Sequence, residues 1–199
     1  MNKSALRHLL QKKRLCLSPE EVREKSRRIA ERVVGLVEFH QAKRVVLYSP
    51  IGNEVDTDAI WQAALQEGKE PYFPRVGKAE KQIEFVYTGD RESLRPGAYG
   101  ILEPSGGCLL FPEAGRETLI IVPGLGFDLE GYRLGWGGGY YDRAFYGIVK
   151  KGIKVGLAYD FQVLSSLPRE DGDGRMDYVI TEERMVACFA NGHERVRSS

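Results

Sequence analysis

The stretch from residue 118 to residue 143 limits the possible folds more than any other part of this sequence. It begins with TLIIV (118–122), an apolar run of the kind that forms a strand buried on both faces. A glycine-rich segment follows, and YYDR (140–143) then opens a segment that can form a helix. A buried strand, a loop and a helix in this order are typical of an α/β fold, in which ligands bind beyond the carboxyl ends of the strands.

The rest of the chain repeats this alternation. Asn2 is suited to cap a first helix through about residue 16, and SPEE (18–21) is a strong start for a second. Apolar residues at strand or helix spacing predict strands at 44–48, 71–76, 83–87, 154–159 and 178–181 and helices at 57–66 and 141–150. The prolines in 71–76 indicate that this strand is short or lies at a sheet edge. Residues 91–107 lack periodicity and predict a long irregular excursion that can wall a pocket.

Length and charge restrict the classes of function. The 199 residues suffice for one domain with a sizeable core, so we expect a single domain spanning residues 1–199. A formal net charge of +1 provides no overall field to attract nucleic acid or an anionic membrane. The chain has no apolar run near the ~20 residues of a membrane-spanning helix, and its basic N-terminus lacks the apolar core of a signal peptide. We therefore expect a cytoplasmic monomer without a nucleic-acid or membrane partner.

The glycine-rich segment has the composition of an anion-binding loop. Five glycines lie within nine positions, at 131, 135, 137, 138 and 139. Glycine permits positive φ angles and lets backbone N–H groups approach an anion closely. Arg133 adds a guanidinium suited to phosphate, and Asp142 lies where a carboxylate can hold Mg²⁺ on phosphate oxygens. We therefore predict that this loop holds the phosphates of ATP.

Two better-known phosphate motifs fit the loop poorly. A Walker A motif requires Gly-Lys-Ser/Thr, which does not follow here. The G-x-G-G-G spacing departs from the dinucleotide fingerprint, and the acidic residue expected about 20 positions later would be Asp160, at a strand end. Composition alone also leaves a mobile surface loop as the alternative, although a linker would not be flanked by VPG (122–124) and YYDR (140–143).

Two further segments carry candidate ligand contacts. Lys3 and Arg7 are four residues apart on the first predicted helix, so they project from one face. They form either a cationic clamp for a polyphosphate or a solvated basic face. Glu54 lies in the turn-rich loop after the strand at 44–48, where it is either a ligand contact or an exposed carboxylate.

The motifs of the chain, taken together, resemble those of the 5-formyltetrahydrofolate cyclo-ligases, also called methenyltetrahydrofolate synthetases. The most distinctive block is PGLGFD…GYRLGWGGGYYDR (123–143). Weaker segments follow the family's order: K-x-x-x-R at 3–7, SPIGNEVDT at 49–57, YFPR at 72–75 and MDYVIT at 176–181. The resemblance covers almost the whole chain, and it implies a three-layer α/β/α fold with a mixed, mostly parallel central sheet.

The resemblance also implies roles for single residues. ATP would contact Lys3, Ser4, Ala5, Leu6, Arg7, Arg133, Leu134, Gly135, Trp136, Gly137, Gly138, Gly139, Tyr140 and Tyr141. The folate would contact Tyr48, Glu54, Tyr99, Trp136, Gly137, Gly138, Gly139 and Tyr140. Asp142 and Asp177 would be the carboxylates for Mg²⁺, and Arg133 and Asp142 would act in catalysis. As a paired acceptor, Glu54 would bind the N–H groups of the pterin.

The implied reaction is the ATP-dependent cyclisation of 5-formyltetrahydrofolate, with or without a polyglutamate tail, to 5,10-methenyltetrahydrofolate. The formyl oxygen attacks the γ-phosphate, N10 closes the ring, and ADP and phosphate are released, so the enzyme supplies no nucleophile. The sequence agrees, because His8, His40 and His193 all lie in unpromising helical or terminal contexts. Catalysis would rest on positioning and on charge stabilisation by Mg²⁺, Arg133 and loop amides.

Two positions depart from the family pattern, and two other functions are the alternatives to this enzyme. Gly172 stands where the family often has histidine, and Trp136 stands at a frequently basic position. A regulatory nucleotide- or RNA-binding module of the same fold would have lost Arg133 or Asp142 or gained a basic segment, and the sequence shows neither change. The glycine spacing disfavours a dinucleotide oxidoreductase.

Overall fold

The computed structural model describes residues 2–77, 82–109, 115–147, 149–170 and 172–188. Its helices are α1 (Lys3–Leu15), α2 (Pro19–Val34), α3 (Val37–Gln41), α4 (Asp58–Gln66) and α5 (Tyr140–Tyr146). Its strands are β1 (Arg44–Val46), β2 (Glu70–Val76), β3 (Ile83–Tyr87), β4 (Leu94–Pro96), β5 (Leu102–Pro104), β6 (Thr118–Val122), β7 (Gly126–Asp128), β8 (Arg133–Leu134), β9 (Ile153–Leu157), β10 (Val163–Leu164), β11 (Tyr178–Ile180) and β12 (Met185–Ala187).

Seven of these strands form the central sheet, in the order β12-β11-β9-β6-β1-β2-β3. The five inner strands run parallel, whereas β12 and β3 pair antiparallel at the two edges. The chain continues from β1 to β2 on one side and from β6 to β9 and β11 on the other. The strand order therefore reverses between β1 and β6, and such a switch point opens a crevice at the carboxyl ends of the strands. The predicted mixed, mostly parallel sheet is confirmed.

Helices cover both faces of the sheet. One face packs against α2, α3 and α4, which contribute Ile29, Ala30, Val33, Phe39, Ile60 and Ala64 to the larger core. The other face packs against α5 through Ala144 and Phe145. Strand β6 serves both cores, because alternate side chains of a strand point to opposite faces: 119 and 121 belong to the first core, and 120 and 122 to the second. The three-layer architecture is confirmed.

Helix α1 lies outside these two cores and against a small second sheet. The order of that sheet is β10-β7-β8. Leu6 and Leu10 of α1 form a third apolar cluster with Leu134 and Leu167. Helix and sheet approach so closely that a Cβ at Gly126 would lie 2.8 Å from the Leu10 side chain. This packing brings the first turns of α1 beside residues 135–139, the glycine loop, which follows β8.

Local sequence explains where the first helices begin. The Asn2 side chain accepts a hydrogen bond from the backbone N–H of Ala5 at 2.9 Å. Ser18 and Glu21 form a reciprocal capping box, which satisfies backbone donors at the start of α2. Both helix starts are confirmed.

Some predicted elements were wrong in position or extent. Strand β2 is seven residues long and lies inside the sheet, between β1 and β3. Pro71 is tolerated there because it is near the start of the strand and its carbonyl still accepts a hydrogen bond from Thr88 N–H at 2.9 Å. Residues 91–107 contain the antiparallel ribbon of β4 and β5. Helix α5 ends at Tyr146, and β12 follows the strand predicted to be the last.

Candidate active site

A cavity of about 640 Å³ opens at the carboxyl ends of β1 and β6, where the strand order reverses. Its walls come from the start of α1, the segments after β1 and β6, the glycine loop, the start of α5, the end of β2 and the β4–β5 ribbon. The predicted contacts among its lining are Lys3, Arg7, Tyr48, Glu54, Arg133, Leu134, Gly135, Trp136, Gly137, Gly138, Gly139, Tyr140, Tyr141 and Asp142. The fold thus assembles one site from segments that are distant in sequence.

The glycine loop takes a backbone path that other residues rarely adopt. Gly137 has φ +102° and Gly139 has φ +67°, and Gly139 directly precedes α5. Both angles lie in a region that side chains with a Cβ disfavour. The loop is tied to α1, since Arg7 Nε donates to the Gly135 carbonyl at 2.8 Å. Glycines at these two positions are therefore required by the backbone conformation.

Arg133 and Asp142 form an ion pair along one wall. Arg133 Nη2 lies 3.2 Å from each carboxylate oxygen of Asp142. Arg133 Cζ also lies 5.4 Å from the centre of the Tyr141 ring, and Nη1 donates to the Pro123 carbonyl at 3.4 Å. The Nε of Arg133 is buried without a hydrogen-bond partner among the described residues. A buried donor without a partner is costly, so the site can gain from an acceptor on a ligand.

Glu54 forms the floor of the cavity and is held from several sides. Its Oε1 lies 3.3 Å from Arg14 Nη1, and its Oε2 accepts from Ile51 N–H at 3.1 Å. Burial raises the pKa of Glu54, although the Arg14 charge and hydrogen bonds from Ile51 and Trp136 act in the opposite direction. The result is a buried carboxylate on a ligand cavity, an arrangement that suits recognition of N–H donors.

Tyr48 packs against the segment after β1 that carries Glu54. Its hydroxyl donates to the Val55 carbonyl at 2.8 Å, and its carbonyl accepts from the Thr57 hydroxyl at 2.8 Å. Burial, with the nearby Glu54 charge, raises the pKa of Tyr48 well above its usual value. Tyr48 is thus a neutral side chain that shapes the floor and offers an aromatic surface.

Lys3 meets two carboxylates at the rim. Its Nζ lies 3.0 Å from Asp173 Oδ2 and 3.1 Å from Glu170 Oε1, and all three residues line the cavity. Burial acts to lower the pKa of Lys3, but the hydrogen bonds to Asp173 and Glu170 raise it above its usual value overall. A charged Lys3 therefore faces the cavity at neutral pH.

The structure does not bring Asp177 to this site. Asp177 directly precedes β11, so it lies at the amino ends of the parallel strands, opposite the cavity. Its Oδ2 accepts from Lys154 N–H at 2.8 Å, which ties β11 to β9. Asp173, four residues earlier, is the carboxylate that reaches the cavity.

Four other predicted contacts are not part of the described lining. Ser4, Ala5 and Leu6 lie in α1 between Lys3 and Arg7, and Leu6 is buried against Leu134. Tyr99 lies in a short 3₁₀ turn, but its side chain is outside the part that the structure describes.

Sequence reasoning missed Arg14 and Asp173. Arg14 lies four residues after Leu10 and eight after Leu6, so it continues the buried stripe of α1. That spacing was the signal that could have found it. Asp173 lies several residues before β11, in a connecting segment long enough to reach the carboxyl ends of the neighbouring strands. Its distance from the strand was therefore the signal that could have separated it from Asp177.

The fold and cavity define a class of protein: an α/β enzyme whose switch-point cavity combines a glycine loop, cations and carboxylates. The chain belongs to the 5-formyltetrahydrofolate cyclo-ligase family, whose sequence model matches residues 1–182. Members of this family convert 5-formyltetrahydrofolate to 5,10-methenyltetrahydrofolate with ATP.

Several relatives support this assignment. The solved 5,10-methenyltetrahydrofolate synthetase of Aquifex aeolicus is 39% identical, with a TM-score of 0.81 and full coverage of both chains. The synthetase of Mycoplasma pneumoniae is 27% identical, with a TM-score of 0.74 over 92% of this chain and 99% of its own. The 5-formyltetrahydrofolate cyclo-ligase of Mus musculus is 28% identical over 190 residues, which are 91% of this chain and 94% of the mouse protein.

Among the residues that the structure describes, no helix has the length and apolar character needed to cross a membrane. Over the same ranges, no group of three or more His, Cys, Asp and Glu side chains is arranged to hold a metal ion.

Proposed function

We propose that this enzyme cyclises 5-formyltetrahydrofolate with ATP in the switch-point cavity, and that this single cavity holds both substrates. One observation carries the proposal: Arg7 reaches Gly135 across 128 residues of sequence, which places the cationic start of α1 beside the glycine loop and above Glu54. Alone, the start of α1 or the glycine loop would support no more than anion binding. Together they form a phosphate half of the site, and Glu54 provides the carboxylate half.

In this proposal the phosphates of ATP lie along the glycine loop. Lys3 and Arg7 contact them from α1, and Arg133 contacts them from β8. Positive charges in a partly buried cavity stabilise phosphate more strongly than they would in water. The free, buried Nε of Arg133 is a donor ready for such an oxygen. Gly135, Gly137, Gly138 and Gly139 allow the backbone to approach without obstruction by a Cβ.

The folate lies beside the floor and the exposed face of the loop. Glu54 accepts hydrogen bonds from the N–H groups of the pterin, and Tyr48 and Trp136 border it. Trp136 is about half exposed, with a fractional exposure of 49%, so its ring is available to a flat ligand. In this proposal the formyl group points toward the phosphate half of the cavity.

The chemistry needs orientation more than it needs a protein nucleophile. The formyl oxygen attacks the γ-phosphate and ADP leaves; N10 then attacks the activated carbon, and phosphate departs as the ring closes. The protein holds the two substrates in line and stabilises charge on the transferring phosphoryl group through Arg133. Tyr48 does not serve as a base, because burial raises its pKa and its hydroxyl already donates to Val55.

The residues present fit a magnesium ion at the phosphate half. Asp142 and Asp173 both line the cavity, and their side chains are 28% and 19% exposed. Mg²⁺ commonly binds one or two carboxylates together with substrate phosphates. When bound, the ion would neutralise negative charge on the phosphates. We propose Asp142 and Asp173 for this role, while Asp177 remains a prediction from the sequence that the cavity does not support.

The assay that tests the proposal mixes the protein, Mg-ATP and 5-formyltetrahydrofolate and follows the absorbance band of the methenyl product. We expect an increase that requires both ATP and protein, with one phosphate released per product. Absorbance that does not change with ATP would refute the proposed function. We also infer a cytoplasmic monomer that accepts the folate with or without a polyglutamate tail. A size measurement in solution tests the monomeric state, and kinetics with a series of tail lengths test the acceptance of polyglutamates.

A further inference from the structure

Arg14 is a buried cation that lies behind the active-site wall. It belongs to the last turn of α1 and its side chain is 1% exposed. It is not among the residues that line the cavity, whereas its partner Glu54 is. Arg14 therefore touches neither substrate in the proposed arrangement, and any effect it has on the reaction must pass through its neighbours.

The guanidinium of Arg14 joins three separate segments. Its Nε donates to the Gly52 carbonyl at 2.9 Å, and its Nη2 donates to the Ile51 carbonyl at 3.5 Å, both in the loop after β1. Its Nη1 donates to Glu54 Oε1 at 3.3 Å and to the Gly124 carbonyl, after β6, at 3.4 Å. These contacts span the switch point of the sheet.

The same group also reaches the glycine loop. Arg14 Cζ lies 5.6 Å from the centre of the Trp136 ring, and Trp136 lines the cavity together with Glu54. A cation over an indole ring is a favourable contact. Arg14 thus connects α1, the two post-strand loops and the glycine loop around one carboxylate.

Fold stability alone is a poor explanation for this arrangement. Taking an arginine and a glutamate out of water is expensive, and apolar pairs of similar volume are often as stable or more so. The buried pair instead gives a fixed geometry, because a planar guanidinium has donors at set angles. Such a geometry matters most where it opens onto a ligand, and Glu54 is the member that does so.

We propose that Arg14 is a positioning residue that couples the two halves of the active site: it fixes Glu54 for the folate and anchors α1, which carries Lys3 and Arg7, for ATP. This inference rests on the proposed function. A change on the folate side should then alter ATP binding, and a change at Arg14 should alter both.

The first test compares Arg14→Lys with Arg23→Lys. Lysine keeps the charge but lacks the fork that serves Gly52, Glu54 and Gly124 together. We expect Arg14→Lys to raise KM for 5-formyltetrahydrofolate about tenfold and to weaken direct binding of Mg-ATP severalfold, with a smaller change in kcat. Arg23 is an exposed arginine of α2, so Arg23→Lys should leave all three unchanged. A lower melting temperature for Arg14→Lys with unchanged KM and ATP binding would reduce Arg14 to a structural role.

The second test remains informative if Arg14→Lys does not fold. Glu54→Gln removes the charge that holds Arg14, so we expect it to weaken Mg-ATP binding measured without folate. Equal ATP affinity in wild type and Glu54→Gln would overturn the coupling. Where both single variants fold, the double variant should bind ATP about as weakly as Arg14→Lys alone, since the two substitutions remove the same connection between Arg14 and Glu54. Fully additive losses of ATP affinity would contradict the proposal. Wild-type protein that fails to bind Mg-ATP would instead refute the proposed function.

Discussion

The ammonium of Lys3 lies 3.0 Å from the carboxylate of Asp173, although 170 residues separate them in the chain. This ion pair joins the first turn of α1 to the segment before β11 at the rim of the cavity. In the proposed function, a phosphate of ATP would compete with Asp173 for this ammonium, unless a divalent cation held the carboxylate. The pair therefore links the proposed ATP contact to the proposed metal site.

Removing the cationic start of α1 should weaken ATP binding more than it weakens folate binding. We expect Lys3→Ala combined with Arg7→Ala to raise KM for ATP at least tenfold, because two charged contacts to phosphate are lost. Lys13→Ala is the matched control, since Lys13 is an exposed lysine of the same helix. Steady-state kinetics with varied ATP measures the effect. An unaltered KM in the double variant would return Lys3 and Arg7 to a solvated basic face.

Three aspartates can be compared to locate the metal carboxylates. We expect Asp142→Asn and Asp173→Asn to raise the Mg²⁺ concentration required for half-maximal turnover, because each removes a charged ligand from the cavity. Asp177→Asn is the control, as its amide oxygen can still accept the Lys154 N–H bond. Magnesium titration at saturating ATP distinguishes them. A raised requirement for Asp142→Asn and Asp177→Asn, with none for Asp173→Asn, would restore the assignment made from the sequence.

The main sheet could be predicted because its strands carry strong local signals. TLIIV (118–122) is buried on both faces and was located to the residue. The small sheet of β7, β8 and β10 was missed, since strands of two or three residues have too few positions to show a periodicity. Helix α5 was predicted too long because Gly147 ends it before the apolar pattern does.

The site was predictable where its residues are close in sequence. Arg133 and Asp142 lie nine positions apart, and the glycine-rich sequence between them predicts both as site residues. Arg14 directly follows Lys12 and Lys13, so its neighbours in the sequence indicate an exposed basic segment, whereas packing buries it beside Glu54. Burial of a single charged residue is a tertiary property, and only its phase with Leu6 and Leu10 signals it beforehand.

The acid side of the pH profile should depend on Glu54. Burial raises its pKa above the ordinary 4.5, so its carboxylate protonates at a higher pH than an exposed glutamate would. Tyr48 and Tyr141, which face it, have pKa values raised by burial and stay neutral there, while the Arg14 guanidinium faces it from α1. Protonation removes acceptors for the pterin, so KM for 5-formyltetrahydrofolate should rise as pH falls through this pKa.

Glu54→Gln provides the control for that profile. Its side chain does not titrate, so KM for the folate should be higher throughout and should lose the acid limb. The measurement is KM for 5-formyltetrahydrofolate across the acid range, with protein integrity checked at each pH. The same limb in both proteins would assign it to another group.

The backbone of the glycine loop can be tested at Gly137. Its φ of +102° is unfavourable for alanine by about 1–3 kcal/mol, so Gly137→Ala should force the loop away from its path beside Arg7. We expect KM for ATP to rise about tenfold, as the loop amides lose their alignment with the phosphates. Gly68→Ala is the control for a positive-φ glycine elsewhere, because Gly68 has φ +68° with open space around its Cβ position and lies after α4, outside the cavity. Gly68→Ala should lower the melting temperature while KM for ATP stays unchanged; equal changes in KM in both variants would mean that the loop conformation has no specific role in binding.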